Sequence, residues 1–311
     1  EQILKRVVED DSFFAFVASI DDGDDWTAEA AWRKANPNYG ISVKADDMRR
    51  LCEQAKRMPS KQNAFKRLRL TVWTQQVDRW IDLALWDEQA GIVDEAKLHG
   101  RTCYGGLDLA SVSDLVAWVM VFPDPNDPDL IEVVPRFWCP EARLYADDNR
   151  YKDHYQAWHR AGFLKTTPGQ AMDYDFVKKQ ILEDASTFRV VDLNIDRLFQ
   201  AHQLSMQLIG EGFQVAPMGM GFLSMAAPMK ELERSLLAGK IRHGGHPVLR
   251  WMADNMAVTQ DAAGNFKPDK KSSQGKIDGI VALTMAIDRW MRHRTGSVYD
   301  RRGIVTIGEI A

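Results

Sequence analysis

The stretch Cys103-Tyr104-Gly105-Gly106-Leu107-Asp108-Leu109-Ala110 reads as a short apolar strand that closes on a carboxylate. A second run, Val190-Val191-Asp192-Leu193-Asn194-Ile195-Asp196-Arg197, does the same at Asp196. A third aspartate, Asp278 in Gly275-Lys276-Ile277-Asp278-Gly279-Ile280-Val281-Ala282, opens an apolar helix. An aspartate beside such runs is costly unless it is paired or holds a cation. Two carboxylates at adjacent strand ends and one from a helix can converge on a point, and hard divalent cations take oxygen ligands of this kind. Asp108, Asp196 and Asp278 therefore point to a catalytic site for Mg²⁺ or Mn²⁺. Two ions about 4 Å apart would serve to activate a water and to stabilise the leaving 3′ oxygen of a phosphodiester.

Outward from Asp108, the pattern predicts strands over 102–109, 115–122 and 130–138, joined by tight turns at Ser111–Asp114 and Pro123–Pro128. That is an antiparallel meander. Beyond it, helices are expected over 144–161, 173–187, 199–211, 225–238, 247–256 and 277–293, with extended pieces at 163–166, 188–195, 213–216 and 240–242. A meander followed by strand–helix alternation implies an α/β fold. It is a mixed five-stranded (or larger) sheet flanked by helices, the RNase H-like arrangement. A mostly helical linker arm precedes it, with helices over 27–37, 45–58 and 60–71 and a buried strand over 13–18. The expected division is 1–99 and 100–311, with a weak strand at 304–307 in the tail.

Several other residues invite a role. Asp114 is either a fourth, auxiliary metal-binding carboxylate or a turn cap. Asp192 competes with Asp196 for the second position, and Asp196 is better placed at the strand end. Lys267, Lys270, Lys271 and Lys276 fall in a polar, mobile-looking stretch before Asp278, where they form either a DNA phosphate clamp or a solvated loop. His243 and His246 lack a third ligand and read as structural. Trp73, Trp80 and Trp86 are expected to anchor the linker rather than to stack on bases. Gly275-Lys276 fails as a phosphate-binding loop, because Ile277 stands where Ser or Thr is needed.

Composition excludes other classes. The 311 residues are 45% hydrophobic and 27% charged, as in an ordinary globular protein. No apolar run approaches the roughly 18–20 residues of a membrane span. Cys52, Cys103 and Cys139 are isolated, which argues against a disulfide framework or a zinc site. A net charge of -4 argues against a protein that coats DNA non-specifically, and weak DNA binding is expected. Beginning at Glu1 rather than Met, the chain is expected to be a fragment or a processed product.

These motifs resemble the C-terminal part of the large terminase subunit of tailed double-stranded DNA phages. The resemblance rests on Gly105-Gly106-Leu107-Asp108-Leu109-Ala110 with Ser113-Asp114-Leu115, on Ile195-Asp196-Arg197, and on Lys276-Ile277-Asp278-Gly279-Ile280-Val281-Ala282-Leu283. Trp251-Met252 with Asn255-Met256, and upstream Ala35-Asn36-Pro37 and Phe65-Lys66-Arg67, are similar too. The resemblance implies an endonuclease that cuts concatemeric viral DNA in the host cytoplasm, with Asp108, Asp196 and Asp278 as its metal ligands. The implied partners are double-stranded DNA, the portal protein, the small terminase subunit and the ATPase half of the large subunit. It further implies a chain that is monomeric alone and joins a ring on the portal. The ATP-binding motifs of that family are absent, so no ATPase activity is expected from this chain.

Overall fold

Val116-Ala117-Trp118-Val119-Met120-Val121-Phe122 is apolar at every position, which suits a strand covered on both faces. The computed structural model describes residues 16–21, 23–57, 59–72, 80–109, 114–197 and 199–294. In it, all seven of these side chains are fully buried. The chain divides into two units, Glu1–Trp80 and Ile81–Ala311.

The first unit holds α1 (Glu29–Ala35), α2 (Ala45–Arg57) and α3 (Pro59–Leu70). Pro59 begins α3, where its missing N–H costs nothing. The unit has its own core of Trp32, Met48, Cys52, Phe65 and Leu70, with the Trp26 and Trp32 rings set edge-on to Phe65. The expected strand over 13–18 is not found where it can be seen. Residues 13–15 lie outside the described residues, and Phe16–Ala18 form no strand with any described residue and leave Phe16 exposed. Trp73, the Ser111–Ser113 part of the first meander turn, and the tail strand at 304–307 also lie outside the described residues.

The second unit runs α4 (Leu83–Glu88), β1 (Thr102–Asp108), β2 (Val116–Pro123), β3 (Ile131–Pro140), α5 (Lys152–Arg160) and β4 (Lys165–Thr167). It continues with α6 (Tyr174–Thr187), β5 (Arg189–Asp196), α7 (Phe199–Gly210), β6 (Val215–Met218), α8 (Phe222–Leu237) and β7 (Ile241–Arg242). The last elements are α9 (Pro247–Asn255), β8 (Val258–Gln260), β9 (Phe266–Pro268) and α10 (Asp278–Arg294). Seven strands form one sheet in the order β4-β3-β2-β1-β5-β6, with β7 also against β3. The meander β1-β2-β3 is antiparallel, and β5 and β6 join parallel to β1. This is the mixed, helix-flanked RNase H-like sheet.

Each face has its own cover. Trp118, Met120, Phe122, Leu107 and Leu193 pack with Val177 and Ile181 of α6 and Leu204 and Leu208 of α7. On the other face α10 lies directly on β1 and β2. Gly106 allows this, and Gly105 makes room for the Trp118 ring on the opposite face. A Cβ at Gly106 would sit 1.9 Å from the Ala282 carbonyl oxygen and 2.7 Å from the Ala286 nitrogen of α10. A Cβ at Gly105 would sit 2.1 Å from the Trp118 ring.

Three elements differ from the sequence expectation. The helix expected over 144–161 is a 3₁₀ turn at Glu141–Leu144 and then α5. Asn149 interrupts it: its side chain donates to the Arg143 carbonyl (2.8 Å) and accepts from the Tyr151 N–H (3.0 Å), offering the backbone a turn instead. The polar stretch after 256 holds the β8–β9 hairpin, turned by Asp261, which accepts from the N–H groups of Ala263 and Asn265. Helix α4 has no long apolar stripe to announce it; Asp82 caps it by accepting from the Ala84 N–H at 2.8 Å.

Trp86 of α4 is fully buried and its ring stacks on His243 at 4.2 Å. His243 Nε2 lies 2.7 Å from the Trp86 carbonyl oxygen. His246 sits between the rings of Phe137 (5.2 Å) and Phe163 (5.1 Å). Both histidines are structural.

Two outcomes test this packing. Gly106→Ala forces α10 off β1 and is expected to cost about 1–3 kcal/mol, read as a lowered thermal midpoint. Burial, with Arg136 adding to it, pushes the His246 imidazole down from 6.5 to about 4. As pH falls through that window the unfolded chain takes up a proton that the folded chain refuses, so stability falls. In urea titrations from pH 7 to pH 4, His246→Leu is expected to lose less stability than the natural chain.

Candidate active site

Strand alternation decides which face each acid meets. Gly106 faces α10, so Asp108, two residues on, faces the same way. On β5, Asn194 donates to the Met285 carbonyl (3.0 Å) and to Asp288 (2.9 Å) on α10. Asp192 and Asp196 share that face. The register pairs Leu107 with Ile195, so Asp108 and Asp196 stand side by side one step on, at the C-terminal ends of two parallel strands. Helix α10 runs back across the sheet. It starts at Asp278 over these strand ends and finishes where His293 stacks on Tyr104 of β1 at 5.0 Å. Asp108, Asp196 and Asp278 are all buried.

A lysine sits between two of them. Lys270 Nζ lies 3.1 Å from Asp108 Oδ2 and 2.9 Å from Asp278 Oδ1. Burial pulls the Lys270 ammonium down, but the carboxylates of Asp108 and Asp278 outweigh it and hold it well above the usual lysine range. Burial drives the Asp108 carboxyl up, to about 8, against the pull of Lys270; the negative charges of Asp278 and Asp196 push it the same way as burial. The second oxygen of each paired acid, Asp108 Oδ1 and Asp278 Oδ2, is buried without a hydrogen-bond partner among the described residues. Among the described residues no group of three or more His, Cys, Asp or Glu side chains is closed up as a ready metal cage. The donor set nevertheless fits a hard divalent cation: it is all oxygen, it is buried, and two of its oxygens lack a partner.

A cleft of about 550 Å³ opens beside the acids. Asp278, Lys270, Lys276, Asp114, Arg143 and Arg150 line it. Asp114 pairs with Lys276 at the rim. Arg143 pairs with Asp148 at 3.0 Å, and Arg150 and Tyr151 both donate to the Gln274 carbonyl. Of the four lysines singled out in the sequence, Lys270 and Lys276 reach the cleft. Lys267 instead lies over the Phe222 ring at 5.1 Å, and Lys271 is exposed on the far side of its turn. The stretch they occupy is a built turn. Asp269 accepts from the N–H groups of Lys271 and Ser272 and from the hydroxyls of Ser272 and Thr259. Arg143, Arg150 and Tyr151 are additions from the structure. The run Asp147-Asp148-Asn149, all turn formers inside a supposed helix, is the signal that points to them.

The chain matches the family model described as terminase large subunit, endonuclease domain, over residues 7–294. It is 36% identical over 265 residues to the large terminase subunit of Enterobacteria phage HK97, covering 85% of this chain and 51% of that protein. It is 31% identical over 301 residues to protein YmfN of Escherichia coli strain K12, covering 93% of this chain and 66% of that protein. The crystal structure of the HK97 bacteriophage large terminase superposes with a TM-score of 0.60 at 33% identity, over 88% of this chain and 56% of that one. The chain thus spans about half to two thirds of the length of these curated relatives.

Asp192, the competitor for the second position, has a different environment. Arg289 Nε lies 2.8 Å and His293 Nε2 3.1 Å from its Oδ2, and the Arg289 Nη2 also donates there. It is a partnered structural acid near the far end of α10. Arg289→Met leaves that buried carboxylate with His293 alone. The expected cost is about 3 kcal/mol in urea denaturation.

Proposed function

The chain belongs to the family of terminase large-subunit endonuclease domains, and from that premise we propose that it cuts concatemeric viral double-stranded DNA during genome packaging. The reaction is metal-dependent phosphodiester hydrolysis at Asp108, Asp196 and Asp278. The observation that carries this reading is a buried Asp278 in the wall of a cleft lined with cationic side chains, joined through Lys270 to the buried Asp108, with the buried Asp196 beside Asp108 on the next strand. Asp108, Asp196 and Asp278 would hold Mg²⁺ or Mn²⁺, two ions by this reading, which would supply an activated water and charge stabilisation at the leaving oxygen.

The chain's own residues do the rest. Strands β1 and β5 hold Asp108 and Asp196 rigidly, because both are central in the sheet. The start of α10 places Asp278 where the helix N-terminus favours a negative charge. Arg143, Arg150 and Lys276 orient the phosphates that flank the scissile bond, and Asp114 tethers Lys276 at the rim. By the same reading the substrate is delivered by the ATPase half of the large subunit, in a ring on the portal and beside the small subunit. Among the described residues no helix is long and apolar enough to cross a membrane.

The test is conversion of supercoiled plasmid by the purified chain with Mn²⁺, Mg²⁺ or EDTA. Cleavage is expected with either metal and not with EDTA. Asp108→Asn, Asp196→Asn and Asp278→Asn are each expected to lose detectable cleavage while keeping a cooperative thermal transition. Retained cleavage in Asp196→Asn removes that residue from the site. A well-folded natural chain that cuts under no metal favours a non-catalytic DNA or portal docking module.

A further inference from the structure

Lys270 is presented to the acids by a rigid support. The turn that carries it is tied to β8, with the Asp269 N–H donating to the Ala257 carbonyl at 3.0 Å and the Thr259 hydroxyl donating to Asp269 at 2.9 Å. The Ser273 hydroxyl donates back to the Asp269 carbonyl at 2.7 Å. The backbone is thereby fixed, and the four-carbon side chain remains the adjustable part. That side chain is 50% exposed, whereas those of Asp108 and Asp278 are 1% and 8% exposed. Lys270 has solvent to turn into, and the carboxylates do not.

The ammonium satisfies half of the pair. It takes Asp108 Oδ2 and Asp278 Oδ1, and leaves Asp108 Oδ1 and Asp278 Oδ2 buried without partners. A single lysine therefore holds the acids together without completing their coordination. A divalent ion can draw on the two oxygens that Lys270 leaves unpartnered, but it then sits beside the Lys270 ammonium, against like-charge repulsion.

We propose that Lys270 is a resident cation that braces Asp108 against Asp278 and is displaced toward solvent when a divalent ion binds, so that it sets the metal affinity of the site. The inference rests on the metal reading of these acids given above. It makes Lys270 a positioning residue. Its removal has two opposite consequences: the acids lose their brace, and the metal loses its competitor.

Isothermal titration of the full chain with MnCl₂ after EDTA treatment, at fixed pH, separates the possibilities. Lys270→Met is expected to bind Mn²⁺ about tenfold more tightly than the natural chain, since one competing charge contact is removed. It is also expected to melt at a lower temperature in EDTA and to recover that loss on adding Mn²⁺. Lys270→Arg, which keeps the charge, is expected to stay near the natural affinity. Should Lys270→Met not fold, Lys270→Gln reads the same change. If the natural chain binds Mn²⁺ through Asp278, lost in Asp278→Asn, but Lys270→Met binds equally or more weakly, the displacement proposal is overturned while the metal site stands. If neither the natural chain nor Lys270→Met binds Mn²⁺, the metal reading itself fails and takes this inference with it.

Discussion

The approach of α10 to β1 at Gly106 is the contact on which the rest of the second unit depends. A helix normally stands off a sheet by the length of the side chains between them. Here the strand contributes no side chain at Gly106, and the helix answers with Ala282 and Ala286. The closeness does more than fill space. It sets the first residue of α10 over the ends of β1 and β5, and so brings Asp278 onto the same lysine as Asp108. Further along, it lets Asn194 reach from the sheet to the Met285 carbonyl and Asp288. The geometry of the acids is inherited from a backbone contact, which side-chain relaxation cannot easily loosen.

Burying carboxylates this way opposes folding. An unpaired buried carboxylate costs several kcal/mol, and like charges nearby add to the cost. The same face of the sheet shows both solutions. Asp192 receives Arg289 and His293, so its cost is offset by its own partners. Asp108 receives one ammonium shared with Asp278 and keeps an orphaned oxygen. Two aspartates on neighbouring strands of one sheet thus differ in whether the fold completes their hydrogen bonding. The incomplete one lies behind Lys270 of the cleft wall, where an incoming cation can finish what the protein leaves undone.

The acids are legible in the sequence because each breaks an apolar pattern at the end of an element, where a carboxylate has no packing reason to be. The sheet order is legible too, since short turns force the meander and a helix must separate β4 from β5. Helix boundaries fall within a few residues wherever an apolar stripe or a capping residue marks them. What is hidden is hidden for a reason. Asn149 breaks the long helix through hydrogen bonds that compete with it only once the chain has turned. The β8–β9 hairpin is three residues a side and mostly polar, too short to show a period. The Lys270 bridge joins residues 162 apart, and nothing local distinguishes that lysine from Lys267 or Lys271. The mobile-looking stretch is ordered because Asp269 saturates its turn, a role that any Asp in a Gly- and Ser-rich loop can take.

A net-acidic chain and the polyanionic substrate proposed for it are in conflict, and the cleft bears on how that conflict is met. Lys276 is held by Asp114, Arg143 by Asp148, and Arg150 by the Gln274 carbonyl. A phosphate entering the cleft exchanges for the carboxylates on Lys276 and Arg143, and only at Arg150, whose partner is a neutral carbonyl, does it gain a new charge contact. Exchange of one exposed ion pair for another is worth little in water and less in salt. For the DNA substrate proposed above, the two carboxylate pairs are expected to add little affinity, and what they supply is orientation: each basic group already lines the cleft before a phosphate arrives. Such a site suits a substrate that is fed to it by neighbouring parts of an assembly. Tight binding there would slow release of the cut end and would favour cutting wherever the DNA first touched.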